Sequence, residues 1–330
     1  MGPLVSIVIP CYNEERYIGK CLQSIVDQTY PSDLIDVIVV DGNSIDKSVS
    51  IVQKYSKILP QLTQLKNPQK ITPISLNIGV KSASGEIIVI LGAHSFVHSD
   101  FIKNSVLALD KTDAVCVGGP IENIGSSYIG KAIALAMKSP FGVGNSLFRT
   151  SRKRQYVDTV AFGAYRKEVF KAVGYFDESL IRNQDFEFNQ RILKLGSKIL
   201  LTPEITSYYY ARNSLSQLFT QYFNYGYWKE QVIRKNTSSF KLRYQIPVLF
   251  ITVITSLAFG GFYFTSLWNY LGLILIGYAG ISLLFSIFTG KISNYKYIPV
   301  LPLVFSILHF AFGFGLLSGI IANLIRKNKR

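Results

Sequence analysis

The stretch Val5-Ser6-Ile7-Val8-Ile9-Pro10-Cys11-Tyr12-Asn13-Glu14 begins with β-branched apolar residues and ends in a proline followed by polar and aromatic side chains. A short run of this kind predicts a strand that is buried on both faces, which is typical of parallel sheets. Similar runs recur at residues 36–40 and 86–91, and helical periodicity occupies residues 17–28 and 47–59. This alternation predicts an α/β domain with a Rossmann-like, mostly parallel sheet flanked by helices.

The loops after these strands are the expected ligand site, because such sheets bind ligands beyond the carboxyl ends of their strands. After the first strand, Pro10 gives a rigid exit, Tyr12 offers a flat face for a nucleobase, and Glu14 adds a polar group. After the second strand, Asp41 places a carboxylate that accepts hydrogen bonds from a base or a ribose. We therefore expect these loops and residues 92–98 to meet around a nucleotide.

Each loop also has an ordinary structural interpretation. Asn13 is a suitable N-cap for the following helix, Asp41 and Asn43 are common turn residues, and Ser44 is a suitable cap for the next helix. Neither strand is followed by GxGxxG or GxxxxGK[ST], which argues against a dinucleotide-dependent dehydrogenase and a P-loop ATPase. A nucleotide would therefore bind here without a glycine cradle.

Charge and cysteine usage indicate the compartment and the partners. The formal net charge is +15, and Lys and Arg cluster beside apolar stretches, which favours anionic lipid headgroups over nucleic acid. A generally basic surface explains the scattered lysines equally well. Cys11, Cys21 and Cys116 lack CxxC spacing and indicate reduced thiols, and the amino-terminal apolar stretch is too short for a signal peptide. We therefore expect the soluble domain in the cytoplasm.

Composition divides the chain near Arg243 into a soluble domain, residues 1–235, and a membrane region, residues 236–330. The apolar spans 246–264, 267–289 and 298–324 are each long enough to cross a bilayer core of about 30 Å. Before them, residues 215–228 carry an apolar face with added Tyr and Trp. That stripe predicts either core packing or an interfacial helix.

The orientation of the spans is harder to predict. Basic residues flank the outer ends of the first two spans: Lys235, Lys241, Arg243, Lys291 and Lys296. The first two spans therefore fit a hairpin with both ends inside the cell. A single crossing by the third span would put the basic residues of 326–330 outside, against the positive-inside rule. A tilted crossing, or a helical hairpin broken near Pro302 or at residues 313–315, stays open, so two to four membrane helices are expected.

A series of short motifs covers about residues 1–235. They are residues 5–15, 39–46, 76–79 (Leu-Asn-Ile-Gly), 83–86 (Ala-Ser-Gly-Glu), 162–166 (Phe-Gly-Ala-Tyr-Arg), 174–178 (Gly-Tyr-Phe-Asp-Glu) and 184–191 (Gln-Asp-Phe-Glu-Phe-Asn-Gln-Arg). In this order and at these separations they resemble the family 2 glycosyltransferases with a GT-A fold. The tail after residue 225 and the apolar spans are most similar to bacterial membrane-anchored exopolysaccharide transferases of the succinoglycan type.

The resemblance implies an inverting glycosyltransferase in cell-surface or exopolysaccharide synthesis. It implies nucleoside contacts at Pro10, Tyr12 and Asp41, with Lys70 beside the base, and Glu14 joins this donor-binding group. A UDP-sugar is the expected donor, and a saccharide or polyprenyl-diphosphate-linked sugar is the expected acceptor. The protein would then be a multi-pass protein of the cell membrane with its catalytic domain in the cytoplasm.

The resemblance implies that Asp185 is the catalytic carboxylate. Inverting transfer needs one general base near the acceptor hydroxyl and no second carboxylate for a covalent intermediate. Asp185 and Glu187 also have a simpler interpretation as acidic residues in the solvated first turn of a helix that runs to Leu195. Four further residues are predicted to lie on the acceptor side of the site: Gly118, Gly119, Gly163 and Gln184. A plain turn explains the first two glycines equally well.

The chain departs from the family pattern after the third predicted strand. Gly92-Ala93-His94 stands where the family places an Asp-x-Asp that holds a divalent metal. His94 is a metal ligand, a hydrogen-bond donor to the diphosphate or a packed strand-end histidine, and a requirement for Mn²⁺ or Mg²⁺ stays open. The missing carboxylates favour an alternative function, a catalytically weak nucleotide-sugar-binding membrane subunit. A nucleotidyltransferase is disfavoured, because no glycine-rich, lysine-bearing phosphate loop follows the first strand.

Overall fold

The computed structural model describes residues 2–236 and 242–327. The chain forms two compact units. The sheet unit comprises Met1–Glu122 and Leu147–Tyr210, and the helical unit comprises Asn123–Ser146 and Ala211–Arg330. The two compact units divide the chain between Tyr210 and Ala211, and the helical unit also includes a segment from the middle of the chain. The boundary near residue 235 between a soluble domain and a membrane region stays a prediction.

The strands, in chain order, are β1 Val5–Cys11, β2 Ile35–Asp41, β3 Leu62–Lys66, β4 Ile87–Ile90, β5 Ser95–Val97, β6 Ala114–Gly119, β7 Ile121–Ile124, β8 Gln155–Tyr156, β9 Ala161–Arg166, β10 Lys198–Leu201 and β11 Ser207–Tyr210. The helices are α1 Ile18–Val26, α2 Ser48–Tyr55, α3 Thr72–Ser82, α4 Phe101–Asp110, α5 Tyr128–Ala136, α6 Pro140–Val143, α7 Leu147–Thr150, α8 Glu168–Val173, α9 Gln184–Lys194, α10 Leu215–Lys235, α11 Leu242–Gly261, α12 Ser266–Ser293 and α13 Leu301–Lys327. Short 3₁₀ turns lie at Ser32–Leu34 and Tyr295–Tyr297.

The main sheet has eight strands in the order β3-β2-β1-β4-β9-β6-β10-β8. β1 runs parallel to β2 and β4, β2 runs parallel to β3, and β9 is antiparallel to both of its neighbours. A smaller sheet has the order β5-β11-β7. The predicted mostly parallel α/β sheet is confirmed, and the apolar runs are buried on both faces as their sequence indicates.

The sequence did not reveal β3 and α3, so the run at 86–91 forms the fourth strand rather than the third. β3 lies at the edge of the sheet and has only two apolar residues, Leu62 and Leu65, so its periodicity is weak. α3 contains Pro73 and Gly79, which interrupt a helical pattern. Gly79 is needed because a Cβ at this position would clash with the Val8 side chain in β1.

Several motif residues of the predicted family stabilise the fold rather than form the site. At the amino ends of β1 and β2, the Asp36 carboxylate accepts hydrogen bonds from the hydroxyls of Ser6 (2.7 Å) and Ser84 (3.0 Å). Gly85 N donates to Ser6 Oγ at 2.8 Å, and a Cβ at Gly85 would lie 2.6 Å from Ser6 N. This network lies at the opposite end of the parallel strands from the predicted ligand loops.

Asn77 has a similar structural role on α3. Its buried side chain donates to Phe176 O and to Glu178 Oε1, both at 2.9 Å, and accepts from Phe176 N at 2.9 Å. The side chain therefore pairs both backbone groups of Phe176 and fixes the loop that precedes α9.

The helical unit contains three helices long and apolar enough to span a membrane, at Tyr244–Gly261, Ser266–Lys291 and Leu301–Ile325. They coincide closely with the three predicted spans. The break near Pro302 or residues 313–315 that the sequence left open is wrong, because α13 is continuous there. Pro302 is the second residue of α13, where a helix needs no backbone N–H from it.

Ser214 caps the amino end of α10, because its hydroxyl accepts a hydrogen bond from Gln217 N at 3.2 Å. Its buried positions Leu218, Tyr222, Gly226 and Val232 recur at helical spacing. Leu218 and Tyr222 share a hydrophobic cluster with residues of α13. The apolar stripe predicted for residues 215–228 therefore packs against other helices of its own unit.

The three cysteines provide a test of the core. Cys11, Cys21 and Cys116 are at most 3 % exposed, and burial, followed by the nearby Asp41 and Glu14 carboxylates, raises the pKa of Cys11 to about 12. Because the thiolate is the reactive form, the native protein should incorporate no N-ethylmaleimide at pH 7.5, whereas the unfolded chain should incorporate three. Intact-mass spectrometry measures both, and rapid modification of native Cys11 would contradict this packing.

Candidate active site

The loops after β1 and β2 are adjacent because these strands pair in parallel with Cys11 opposite Asp41. Gly42 N donates to Cys11 O at 2.7 Å. A Cβ at Gly42 would lie 3.2 Å from the Cβ of Tyr12, so glycine allows the two loops to come close. Pro10 lies opposite Val40 in the same register, one residue before the strand end.

Side chains join these two loops. Asn13 N donates to Ser44 Oγ and Ile45 N donates to Asn13 Oδ1, both at 2.9 Å, and Glu14 N donates to Ser48 Oγ at 2.8 Å. The predicted capping roles are therefore wrong, because α1 and α2 begin without a side-chain cap and Asn13 and Ser44 bridge the loops instead.

Asn13 and Asn43 both have a left-handed backbone, with φ of 54° and 64°. Asparagine adopts this conformation more readily than most residues, since its short amide forms local hydrogen bonds. The sequence therefore supplies suitable residues at these two left-handed positions.

The Asp41 carboxylate is the most distinctive polar group of these loops. Asp41 is only 5 % exposed, and its Oδ2 accepts a hydrogen bond from Ser44 N at 3.1 Å. Its Oδ1 is buried and has no hydrogen-bond partner within residues 2–236 and 242–327. Because an unpaired buried carboxylate oxygen is costly, this atom indicates a ligand that donates a hydrogen bond.

Lys70 and Tyr12 lie beside this carboxylate loop. The Lys70 Nζ is 5.6 Å from the centre of the Tyr12 ring, and Tyr12 is 44 % exposed, so the ring offers an open face. Asn67 holds the Lys70 loop in place, since its backbone N donates to Asp41 O at 2.7 Å and its amide donates to Ile71 O and Ser75 Oγ. Sequence reasoning missed Asn67; its only signal is the Asn67-Pro68 turn pair.

Glu14 and His94 form a pair between the loops after β1 and β4. Glu14 Oε1 lies 2.9 Å from His94 Nδ1. Since a carboxylate only accepts hydrogen bonds, Nδ1 carries a proton, and in the neutral ring Nε2 keeps its lone pair. The imidazole and the Tyr209 ring form a T-shaped contact, with ring centres 5.1 Å apart. A carboxylate that fixes the histidine tautomer in this way is common behind metal-ligating histidines.

The structure gives limited support for a metal site. In the described part of the chain, no three side chains of His, Cys, Asp or Glu come together to hold a metal ion. The Glu14–His94 pair supplies at most two protein ligands. Such a pair fits a divalent cation only where a bound diphosphate and water supply the other ligands, as they commonly do for phosphate-bound cations.

Asp185 and Glu187 have different environments at the start of α9. Asp185 is exposed, and its Oδ1 accepts a local hydrogen bond from Phe186 N at 2.8 Å. Glu187 is 6 % exposed and forms two hydrogen bonds with Arg191, from Nε at 2.8 Å and from Nη2 at 2.9 Å. Arg191 also donates to Tyr175 O at 2.7 Å, so Glu187 helps to hold the chain before α9. The half-buried Gln184 is the first residue of α9.

Packing explains the three glycines predicted for the acceptor side. Gly118 and Gly119 lie within β6 and not in the plain turn offered as an alternative. A Cβ at Gly119 would clash with Ile205 O, and one at Gly118 would lie 2.7 Å from the Val160 Cβ. A Cβ at Gly163 in β9 would lie 2.8 Å from the Tyr165 ring. Their contact with an acceptor stays a prediction.

The mostly parallel sheet flanked by helices, with polar groups at the carboxyl ends of β1, β2 and β4, has the GT-A fold. The structure is similar to the mannosyltransferase PcManGT of Pyrobaculum calidifontis, with a TM-score of 0.61 over 98 % of this chain and 88 % of that chain. The sequence identity is 19 %, so this likeness concerns the fold alone.

The sequence profile described as Glycosyl transferase family 2 matches residues 6–174, and the chain belongs to that family. It is 30 % identical, over 78 % of its length and 82 % of the relative, to the dolichyl N-acetyl-alpha-D-glucosaminyl phosphate 3-beta-D-2,3-diacetamido-2,3-dideoxy-beta-D-glucuronosyltransferase of Methanococcus voltae. It is 28 % identical to the succinoglycan biosynthesis protein ExoA of Rhizobium meliloti, over 94 % of this chain and 92 % of that protein.

These findings confirm the predicted family, the GT-A fold and the transferase activity. The protein is a family 2 glycosyltransferase that acts on nucleotide sugars in glycan or polysaccharide synthesis.

Asp41 and Asp36 offer a matched pair of substitutions, because both are buried acids on β2 at opposite ends of the strand. Asp41→Asn replaces one acceptor oxygen with a donor, so the Kd for the bound nucleotide should rise about 10- to 100-fold, as expected for a lost hydrogen bond to a charged group. Asp36→Asn should lower stability and leave that Kd unchanged. Calorimetric titration with UDP and GDP measures both variants, and unchanged affinity in Asp41→Asn would remove this residue from the site.

Proposed function

We propose that the protein is an inverting transferase that moves a sugar from a nucleoside diphosphate to a saccharide or lipid-linked acceptor at the cytoplasmic face of the cell membrane. The observation that carries this proposal is the contrast at α9, where Asp185 is exposed and Glu187 is held by Arg191. One accessible carboxylate is what inversion needs, since a single displacement requires a base but no carboxylate nucleophile.

The donor end of the proposed site is built from Asp41, Tyr12 and Lys70. Asp41 Oδ1 would accept a hydrogen bond from the base or ribose, and the exposed face of Tyr12 would stack on the base. The Lys70 ammonium near the ring adds a positive charge close to the nucleotide. A uracil base and a ribose both carry suitable donor groups, which is why UDP-sugars are our proposed donors.

The chemical step follows from Asp185. The acceptor hydroxyl attacks the anomeric carbon while the bond from that carbon to the diphosphate oxygen breaks, and Asp185 receives the hydroxyl proton. The diphosphate leaves with the bonding electrons, so the new bond forms on the opposite face of the sugar. Attack on the face opposite the leaving group inverts the anomeric centre.

The Glu14–His94 pair is proposed to face the diphosphate. Glu14 fixes the imidazole so that His94 Nε2 can point to the ligand. His94, positioned by Glu14, would hold a divalent cation together with the diphosphate, and that ion would neutralise charge on the leaving group. Imidazole suits Mn²⁺ better than Mg²⁺. The structure of PcManGT is of a complex with GDP-Man and Mn²⁺, which supports the proposal of a cation in a protein of this fold.

The acceptor is proposed from the relatives and from the helical unit. The Methanococcus voltae relative is named for a dolichyl-phosphate-linked sugar, and the Rhizobium meliloti relative is named for succinoglycan synthesis. Three helices of this chain are long and apolar enough to span a membrane. A lipid-linked acceptor would therefore be presented at the bilayer surface.

The mechanism predicts opposite effects for the two acidic residues of α9. Asp185→Asn should lower single-turnover rates by about 10²- to 10⁴-fold with little change in stability, because it removes a positioned base. Glu187→Gln should lower the melting temperature by several degrees, since it weakens a buried ion pair, and leave turnover per folded molecule near normal. Near-normal turnover in both variants would exclude Asp185 as the base and so contradict this mechanism. Nucleotide binding without turnover in the wild-type protein would instead favour a nucleotide-sugar-binding subunit.

The cation proposal has a readout independent of activity. Mn²⁺ binding, followed by electron paramagnetic resonance, should be weak for the protein alone and should become tight when UDP is added, because the protein supplies few ligands. His94→Ala should weaken Mn²⁺ binding in the UDP complex by about tenfold or more, the usual range for loss of a ligand or its support. Equal Mn²⁺ affinity in His94→Ala and the wild type would show that His94 does not contact the cation.

A further inference from the structure

We propose that α13 does not cross the bilayer but lies along its surface beside α10, on the same side as the sheet unit. The α11–α12 hairpin is then the only part of the described chain that crosses. This inference rests on the proposed membrane location of the protein and is independent of its catalytic mechanism.

The first observation is that α10 and α13 lie side by side and run in the same direction. A Cβ at Gly315 would clash with Phe223 O, and one at Gly319 would lie 2.8 Å from Tyr227 O. Further along, Asn323 Nδ2 donates to Glu230 Oε1 at 3.0 Å. The contacts therefore follow the same order along both helices, from residues 223 to 230 of α10 and from residues 315 to 323 of α13. The two helices are thus parallel over this stretch.

α10 is too polar to lie in the hydrocarbon core. It is not among the helices with the length and hydropathy of a membrane span in the described chain. It carries several polar and charged residues: Gln217, Gln221, Asn224, Lys229, Glu230, Gln231, Arg234 and Lys235. Such a helix belongs in the headgroup layer, and its contact partner, the carboxyl-terminal half of α13, must lie at a similar depth.

The amino-terminal half of α13 contacts the segment Asn123–Ser146. The Tyr128 hydroxyl donates to Lys296 O at 2.5 Å, just before α13, and His309 Nε2 lies 2.6 Å from Phe141 O. Both ends of this segment continue directly into the sheet unit. Its longest helix, α5, has nine residues and is too short to cross, so the segment stays on the side of the sheet unit.

The order of the helices leads to the same result. The link from Lys235 to Leu242 reaches at most about 25 Å, less than a bilayer core of about 30 Å, so α10 ends where α11 begins. The α11–α12 hairpin returns the chain to that side, and α13 starts there after the 3₁₀ turn Tyr295–Tyr297. A crossing α13 would end on the far side, yet it still contacts α10 at Asn323, near its end.

Burial and charge agree with this arrangement. Within the apolar segment of each helix, 11 % of the residues of α11 and 17 % of those of α12 are buried inside the protein. In α13 the buried share is 44 %. The hairpin tip carries the exposed aromatics Phe262, Tyr263 and Phe264, which suit the far interface. Placing both ends of α13 inside also keeps the basic residues of 326–330 in the cytoplasm, as the positive-inside rule requires.

The test uses single cysteines introduced into the full-length chain in intact cells. The wild-type protein is the background control, because its own three cysteines are buried. Lys54→Cys, at an exposed position, reports the side of the sheet unit, Tyr263→Cys reports the hairpin tip, and Lys329→Cys reports the end of the chain. Each variant is exposed to a membrane-impermeant maleimide before and after permeabilisation.

Tyr263→Cys should react in intact cells, whereas Lys54→Cys and Lys329→Cys should react only after permeabilisation. If Lys329→Cys reacts together with Tyr263→Cys and not with Lys54→Cys, α13 crosses the membrane and the inference is wrong. If all three variants behave alike, the hairpin does not cross, which also contradicts it. If Lys54→Cys and Lys329→Cys react in intact cells and Tyr263→Cys does not, the inference holds and the proposed cytoplasmic location fails.

Discussion

The parallel pairing of β1 with β2, with Cys11 opposite Asp41, is the constraint on which the candidate site depends. Both strands are buried almost throughout, and their register is matched by the Ser6 Oγ to Asp36 hydrogen bond at the amino ends and by Gly42 N to Cys11 O at the carboxyl ends. This register determines where the two loops meet. Gly42 and the hydrogen bonds of Asn13 with Ser44 and Ile45 then hold these loops together at close range.

Among the residues that the structure describes, the buried Asp41 carboxylate has one oxygen without a hydrogen-bond partner, which lowers the stability of the unliganded protein. The surrounding backbone contacts, such as Asn67 N to Asp41 O, are strong enough to hold the residue there. A ligand that donates a hydrogen bond to this oxygen would gain affinity from a carboxylate that is already oriented, and its binding would stabilise the folded state. The nucleoside of the proposed sugar donor carries such hydrogen-bond donors on its base and its ribose.

The sequence predicted those elements of the fold in which nearly every residue is apolar and buried. The β-branched runs of β1, β2 and β4 are buried on both faces and were found, whereas the edge strand β3 and the glycine-containing α3 have mixed patterns and were missed. The candidate residues Tyr12, Asp41 and Lys70 do come together. Sequence patterns could not predict the roles of Asn13 and Ser44, because these residues join two loops that are distant in sequence. The role of Asn67 was also missed, because it depends on hydrogen bonds within one irregular loop.

The central claim is single-step inversion with Asp185 as the base. The most direct measurement is the anomeric configuration of the sugar first released when the protein hydrolyses an α-linked UDP-sugar in the absence of acceptor, followed by proton NMR before mutarotation. Water then takes the place of the acceptor hydroxyl. Single-step inversion predicts that the β-anomer appears first. First appearance of the α-anomer would show retention and contradict a mechanism with one carboxylate base.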